Sequence, residues 1–219
     1  LEALIQEVKN HVQAIFSSTE GSHDWFHVER VWKMAIFLQE IEGGNRTVIE
    51  LAALLHDISD HKYNGGSFEM GAVQTKHLLV TLGASPQLAD EVAMIVAHVS
   101  YKGALVPDFK GSLELAIVRD ADRLDAIGTI GIARAFAYGG SKKRALFSPK
   151  IAPVLHQNKE DYLLNEGHTI NHFYEKLFLL KDRMETKKAK EIALERHDVM
   201  VNFVDQFLAD WDINSKITN

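Results

Sequence analysis

Apolar positions recur at helical spacing along almost the whole chain. Leu4, Ile5, Val8, Val12 and Ile15 fall on one face and predict a first helix over 2–17. A loop containing Gly21 follows. Val28, Val31, Ala35 and Leu38 mark a second helix over about 24–41, which Gly43 and Gly44 end. Thr47 followed by Glu50 reads as a capping box that opens a third helix through 48–55. Gly65 and Gly66 interrupt the chain before a helix near 67–82, and Ser85-Pro86 is a cap and first turn for a helix to about Val99. Residues 101–111 mix glycine, proline and charge and predict a loop. The stretch 113–127 is apolar on almost every side, the mark of a central, buried helix. Residues 137–158, with Gly139, Gly140, Pro149 and Pro153, predict a long loop able to cover a site. The tail over about 160–211 reads as two long amphipathic helices. No β-branched runs alternate with the helices, so the pattern predicts an all-α bundle in a single domain spanning 1–219.

Composition narrows the chemistry. A hydrophobic fraction of 46% is ordinary for a globular protein, and 219 residues can bury a full core. The formal charge of −6 argues against a general nucleic-acid binder. The chain has no cysteine, which excludes disulfides, thiolate metal sites and a cysteine nucleophile. A metal would have to be held by imidazole and carboxylate, and the chain has 11 histidines. No apolar run approaches the ~20 residues that a membrane span needs. Residues 1–14 lack the apolar block of a signal peptide, so a cytoplasmic location is expected.

Several polar residues interrupt otherwise apolar helices. His56-Asp57 closes the run Leu51-Ala-Ala-Leu-Leu55, either as a helix end whose histidine meets the dipole or as a pair of metal ligands. His27 heads an apolar stripe, as a hydrogen-bonded core histidine or a ligand. Arg30 shares its face and would suit an anion or pair with a carboxylate. The run Arg119-Asp-Ala-Asp-Arg-Leu-Asp125 places three carboxylates and two arginines in the central helix. Periodicity does not choose among Asp120, Asp122 and Asp125, and an internal ion-pair network is the competing reading. His98 follows an apolar stretch and reads as a substrate contact, a support for a ligand, or packing. His23 and His27 have chelating spacing but lack the adjoining glutamate of the zinc-protease helix. His11, His77, His156 and His197 read as surface or packing. His168, His172, Lys176 and Arg196 read as a wall of the pocket or as a solvated face. No phosphate-binding glycine loop and no nucleophile elbow is present.

Taken in order, His27, His56-Asp57 and an aspartate followed by Arg-Leu-Asp-Ala resemble the H…HD…D signature of the HD-domain superfamily. The strings 23–31, 54–60 and 119–128, with 169–177 and 185–189, are similar to a subgroup of small bacterial HD hydrolases, over roughly 20–211. The resemblance implies an HD-type helical bundle with its core signature at about 23–128 and C-terminal helices packing over the site. It implies one divalent metal (Mn, Ni, Co, Fe, Zn or Mg) on His27, His56, Asp57 and Asp122. The family pattern, not the periodicity, selects Asp122 over Asp120. It implies that Asp60 handles the proton of an attacking water, with a helix-end or loop carboxylate as the competing reading. Arg30, beside the site, reads as catalytic, and His61 and Lys62 as pointing to the anion or as a solvated loop. With them His98, Asp125, Lys176 and Arg196 are the candidate substrate contacts. The implied reaction is hydrolysis of a phosphoester or phosphoanhydride of a nucleotide, such as a deoxynucleoside triphosphate split to monophosphate and pyrophosphate. The implied partner is a small phosphorylated molecule, without membrane or stable nucleic acid, and a homodimer is compatible. Two other HD types are a nucleotide-sensing module without catalysis, whose mark is ligand loss, and a di-iron oxygenase, which needs further metal ligands. Metal stoichiometry separates them.

Overall fold

The computed structural model describes residues 1–16, 24–58, 68–101, 104–155 and 167–212. Among the described residues there are nine α-helices and one 3-10 segment, and no strand. Helix α1 (Glu2–Phe16) buries Val8, Val12 and Phe16, the face that the sequence pattern marks. Helix α2 (Trp25–Glu42) starts at Asp24, whose carboxylate accepts from the His27 backbone N–H at 2.9 Å. It ends at Gly43, where φ is +87° and the backbone N–H returns to Gln39. Lys9 sits 4.7 Å above the Trp32 ring and ties α1 to α2.

Helix α3 (Arg46–Leu55) is buried at every residue from Val48 to Leu55, so it runs through the middle of the bundle. Its cap corrects the expectation at Thr47. Asn45 takes the N-cap position and accepts from Val48 N–H, while Glu50 turns sideways to accept from Trp32 Nε1 and Arg46 Nε. A tertiary partner for Glu50 outcompetes the local box. Helices α4 (Phe68–Thr81) and α5 (Pro86–Val99) form an antiparallel hairpin, and α5 lies on α3 and on α6 (Leu113–Asp125). Helix α6 buries nine of its residues, four of them charged, and packs along α2. Helix α7 (Gly128–Ser141) follows after two residues.

The tail departs from the two long helices expected over 160–211. It forms a short helix α8 (Thr169–Glu175), a 3-10 segment (Leu177–Arg183) and a helix α9 of 25 residues (Lys187–Trp211). The chain turns at Lys176, where φ is −141°, and again before Thr186. The second break is held from outside the tail. Buried Asp120 of α6 accepts from the backbone N–H groups of Glu185 at 3.0 Å and of Thr186 at 2.7 Å, and from the Thr186 hydroxyl at 2.9 Å. Helix α9 then packs on α7, α6 and α2, and its Phe203 and Phe207 join Phe136 and Phe173 in an aromatic cluster. Among the described residues no helix is long and apolar enough to cross a membrane. The start of α2, the end of α3 and the second half of α6 meet in the interior.

Candidate metal centre

His27 is the third residue of α2 and is fully buried, because buried Trp25 and Val28 flank it and the Asp24 cap fixes the first turn. His56 and Asp57 follow α3 directly, so a helix buried on all sides delivers them inside the protein. His56 Nδ1 lies 2.7 Å from the Ala53 carbonyl oxygen. A carbonyl oxygen only accepts, so Nδ1 carries the hydrogen and Nε2 presents its lone pair. Asp122 comes from α6.

His27, His56 and Asp57 converge on one point, and Asp122 approaches the two imidazoles. His27 Nε2 lies 3.2 Å from His56 Nε2, 3.3 Å from Asp57 Oδ2 and 3.7 Å from Asp122 Oδ1. His56 Nε2 lies 3.6 Å from Asp57 Oδ2 and 3.9 Å from Asp122 Oδ1. Two ligands held at about 2.1 Å from one ion lie roughly 3.0 Å apart at a right angle and 3.4 Å apart in a tetrahedron. His27, His56 and Asp57 fall close to that spacing, and Asp122 stands a few tenths of an ångström further out. Neutral imidazole and ionised carboxylate are electron-pair donors, so such a cluster repels itself unless a cation or a proton sits among them. Burial alone would push the His27 imidazole down, but Asp125 and Asp57 beside it hold it above the ordinary histidine range. The donor set therefore fits a borderline or hard divalent ion.

Asp125 lies one turn beyond Asp122 and is buried. Its Oδ2 is 2.8 Å from His27 Nδ1, 3.0 Å from Arg30 Nη2 and 2.7 Å from Arg134 Nη1, and its Oδ1 accepts from Arg30 Nε at 2.6 Å. Arg134 was not singled out from the sequence. Its signal is a lone cation in the otherwise uncharged helix α7, a weak one without the fold.

Residues 25–127 match the family model of the HD domain. The chain is 35% identical over 207 residues to YpgQ of Bacillus subtilis, across 94% of this chain and 92% of that protein. The chain belongs to the HD-domain family. The fold agrees with that of solved relatives. A structure from Lactobacillus plantarum matches with a TM-score of 0.87 at 36% identity, covering 96% of this chain and 98% of the other. An HD-superfamily hydrolase from Bacillus thuringiensis matches at 0.74 and 40% identity, covering 97% and 98%. YpgQ, solved in complex with ADP, matches at 0.75 and 32% identity, covering 95% of each chain. HD domains bind a divalent metal, and in this HD protein His27, His56 and Asp57 form a group able to hold one.

The remaining residues that the sequence marks as candidates fall in several places. Asp60, His61 and Lys62, like His23 and His156, lie outside the described residues. Arg30 stands beside the centre, bound to Asp125. His98 stacks on Phe109 with ring centroids 4.0 Å apart, and its carbonyl accepts from Arg119. With Ser100, Val106, Pro107, Asp108 and Phe109 it lines a cleft of about 300 Å³. Lys176 lies 4.9 Å over the Tyr101 ring. Arg196 donates to the Leu124 carbonyl, and its stem packs against Gly128. His168 caps α8, accepting from Asn171 N–H at Nδ1 and donating to the Ile151 carbonyl from Nε2. The charges of the 119–125 run separate by face. Asp122 and Asp125 turn to the centre, while Asp120 turns to the Glu185-Thr186 segment. Arg119 pairs with Glu185, and Arg123 with Asp108 and the Arg183 carbonyl.

Proposed function

We propose that this chain is a divalent-metal-dependent phosphohydrolase that cleaves a phosphoester or phosphoanhydride of a nucleotide. The observation that carries this reading is the gathering of His27, His56 and Asp57, with Asp122 beside them, so that five contacts of 3.2–3.9 Å meet at the two imidazole Nε2 atoms. The ADP complex of the relative YpgQ supports a nucleotide as substrate class. A metal held there would polarise a phosphoryl oxygen and lower the pKa of a water it binds.

The chain's own residues divide the remaining work. The imidazole side chains are 0% and 1% exposed, whereas those of Asp57 and Asp122 are 13% and 28% exposed. The imidazoles make a closed floor and the carboxylates an open rim, so substrate arrives from the carboxylate side. Arg30, with 37% of its side chain exposed, offers the anion the edge of its guanidinium that Asp125 does not take. Asp60 accepts the proton of the attacking water, and His61, Lys62, Lys176 and Arg196 hold the phosphates. His98, which lines the cleft beside Phe109, is a further substrate contact. The absence of cysteine supports a cytoplasmic setting, and the ADP complex of the relative supports a small phosphorylated molecule as the partner.

The test is a panel of nucleoside mono-, di- and triphosphates incubated with Mn²⁺, Co²⁺, Ni²⁺ or Mg²⁺. Release of phosphate or pyrophosphate that Asp57→Ala abolishes is the expected result. Asp60→Asn should lose most turnover with metal content intact. Failure to cleave any phosphate ester under any of these metals would overturn the reading.

A further inference from the structure

His27 can face the centre with Nε2 only if its other ring nitrogen carries the hydrogen. That nitrogen, Nδ1, lies 2.8 Å from Asp125 Oδ2 in a buried setting. An ionised carboxylate accepts and never donates, so the contact requires the hydrogen on Nδ1. Asp125 must then remain ionised and keep its orientation. Arg30 holds both of its oxygens, at 2.6 Å and 3.0 Å, and Arg134 holds Oδ2 at 2.7 Å. Rotation of the carboxylate would break charge-assisted bonds to two guanidinium groups.

The corner between α6 and α7 supplies the second guanidinium. Only Ala126 and Ile127 separate the helices. Gly128 takes a φ of +75°, and a Cβ on Gly131 would run into the Ala126 carbonyl oxygen. The tight corner folds α7 back so that Arg134 meets Asp125. An anionic substrate gains nothing from a carboxylate whose oxygens are already engaged, so Asp125, a candidate substrate contact from the sequence, is better placed to serve the imidazole.

We propose that Asp125, clamped by Arg30 and Arg134, is a positioning residue that fixes His27 in the tautomer able to face a metal. This rests on the metal-site reading above. The role is testable because asparagine is nearly isosteric and yet ambiguous. Its amide can present either the oxygen or the NH₂ to His27 Nδ1, and the NH₂ favours hydrogen on Nε2, where it competes with a metal. In the Ser-His-Asp triad the corresponding Asp→Asn change leaves the imidazole in the wrong tautomer.

The experiment compares chelator-stripped wild type, Asp125→Asn and Arg134→Gln, each checked by circular dichroism. Two readouts are taken: Mn²⁺ affinity by titration calorimetry, and histidine tautomers by ¹⁵N–¹H NMR of the metal-free protein at alkaline pH. In wild type His27 should carry its hydrogen on Nδ1. In Asp125→Asn the Nε2–H form should appear and Mn²⁺ affinity should fall about 10–100-fold. Arg134→Gln should weaken Mn²⁺ by a smaller factor, and it carries the test if Asp125→Asn does not fold. Unchanged affinity in the folded variants would overturn the proposal. So would weaker binding with the wild-type tautomer retained, because that is the result of lost packing alone. Wild type that binds no Mn²⁺ would remove the metal-site reading itself, and the tautomer readout would still show whether Asp125 sets the imidazole.

Discussion

Asp120 and Asp122 stand two residues apart on α6 and live in opposite worlds. Asp120 is fully buried, and its oxygens are occupied by two backbone N–H groups and a hydroxyl at the break before α9. Asp122 keeps 28% of its side chain exposed and faces two imidazole lone pairs at 3.7 Å and 3.9 Å. The first is a carboxylate satisfied by donors, which holds a distant segment in place. The second is a carboxylate set among acceptors, an arrangement that calls for a cation. Beyond the difference in burial, it is the sign of the partners that separates structure from function here.

The largest effect that would sharpen this contrast is on turnover. Asp122→Ala should lower it at least about a thousandfold, more than about 4 kcal/mol of transition-state stabilisation, with the melting temperature of the metal-free protein little changed. Steady-state kinetics and a thermal melt check both halves. Asp120→Ala should do the reverse. It leaves two buried N–H groups without their acceptor, so stability should fall by about 2–4 kcal/mol. At roughly 2–4 °C per kcal/mol for a chain of this size, that shift is visible in a calorimetric scan. If Asp120→Ala abolished turnover with the fold stable, the division between the two aspartates would be wrong.

Metal addition gives the next contrast. An ion at a hundred times its Kd stabilises the native state by about 2.7 kcal/mol. Mn²⁺ should raise the melting temperature of wild type and Asp120→Ala alike and leave Asp122→Ala unmoved, as thermal scans with and without chelator would reveal. The smallest effect concerns the α6–α7 corner. Gly128→Ala places a side chain at a φ of +75° and brings its Cβ 3.0 Å from the Arg196 stem. It should cost about 1–3 kcal/mol by denaturant titration, with a modest loss of Mn²⁺ affinity as Arg134 shifts from Asp125.

Much of this was legible in the residue pattern. The stripe Val28, Val31, Ala35, Leu38 is the buried face of α2, and the central, buried helix expected at 113–127 is α6. The family was legible too, from His27, His56-Asp57 and the 119–128 string taken together. The roles of the three aspartates were not. A helix buried on nearly every face has no solvent side to reveal which carboxylate turns where, and the partners of Asp120 lie 65 and 66 residues away. The same contact explains the broken tail. Its helical periodicity is real on either side of Glu185-Thr186, and only the docking onto Asp120 shows why it stops. Arg134 was missed because it reaches Asp125 across a corner that two glycines permit, a contact that no helical spacing encodes.

The central claim is that one metal sits on His27, His56, Asp57 and Asp122. Titration calorimetry of the chelator-stripped protein with Mn²⁺ tests it most directly, run beside Asp122→Ala and Asp120→Ala. One site per chain in wild type and Asp120→Ala, lost in Asp122→Ala, is the expected result. Absence of binding in wild type, or equal binding by Asp122→Ala, would contradict it.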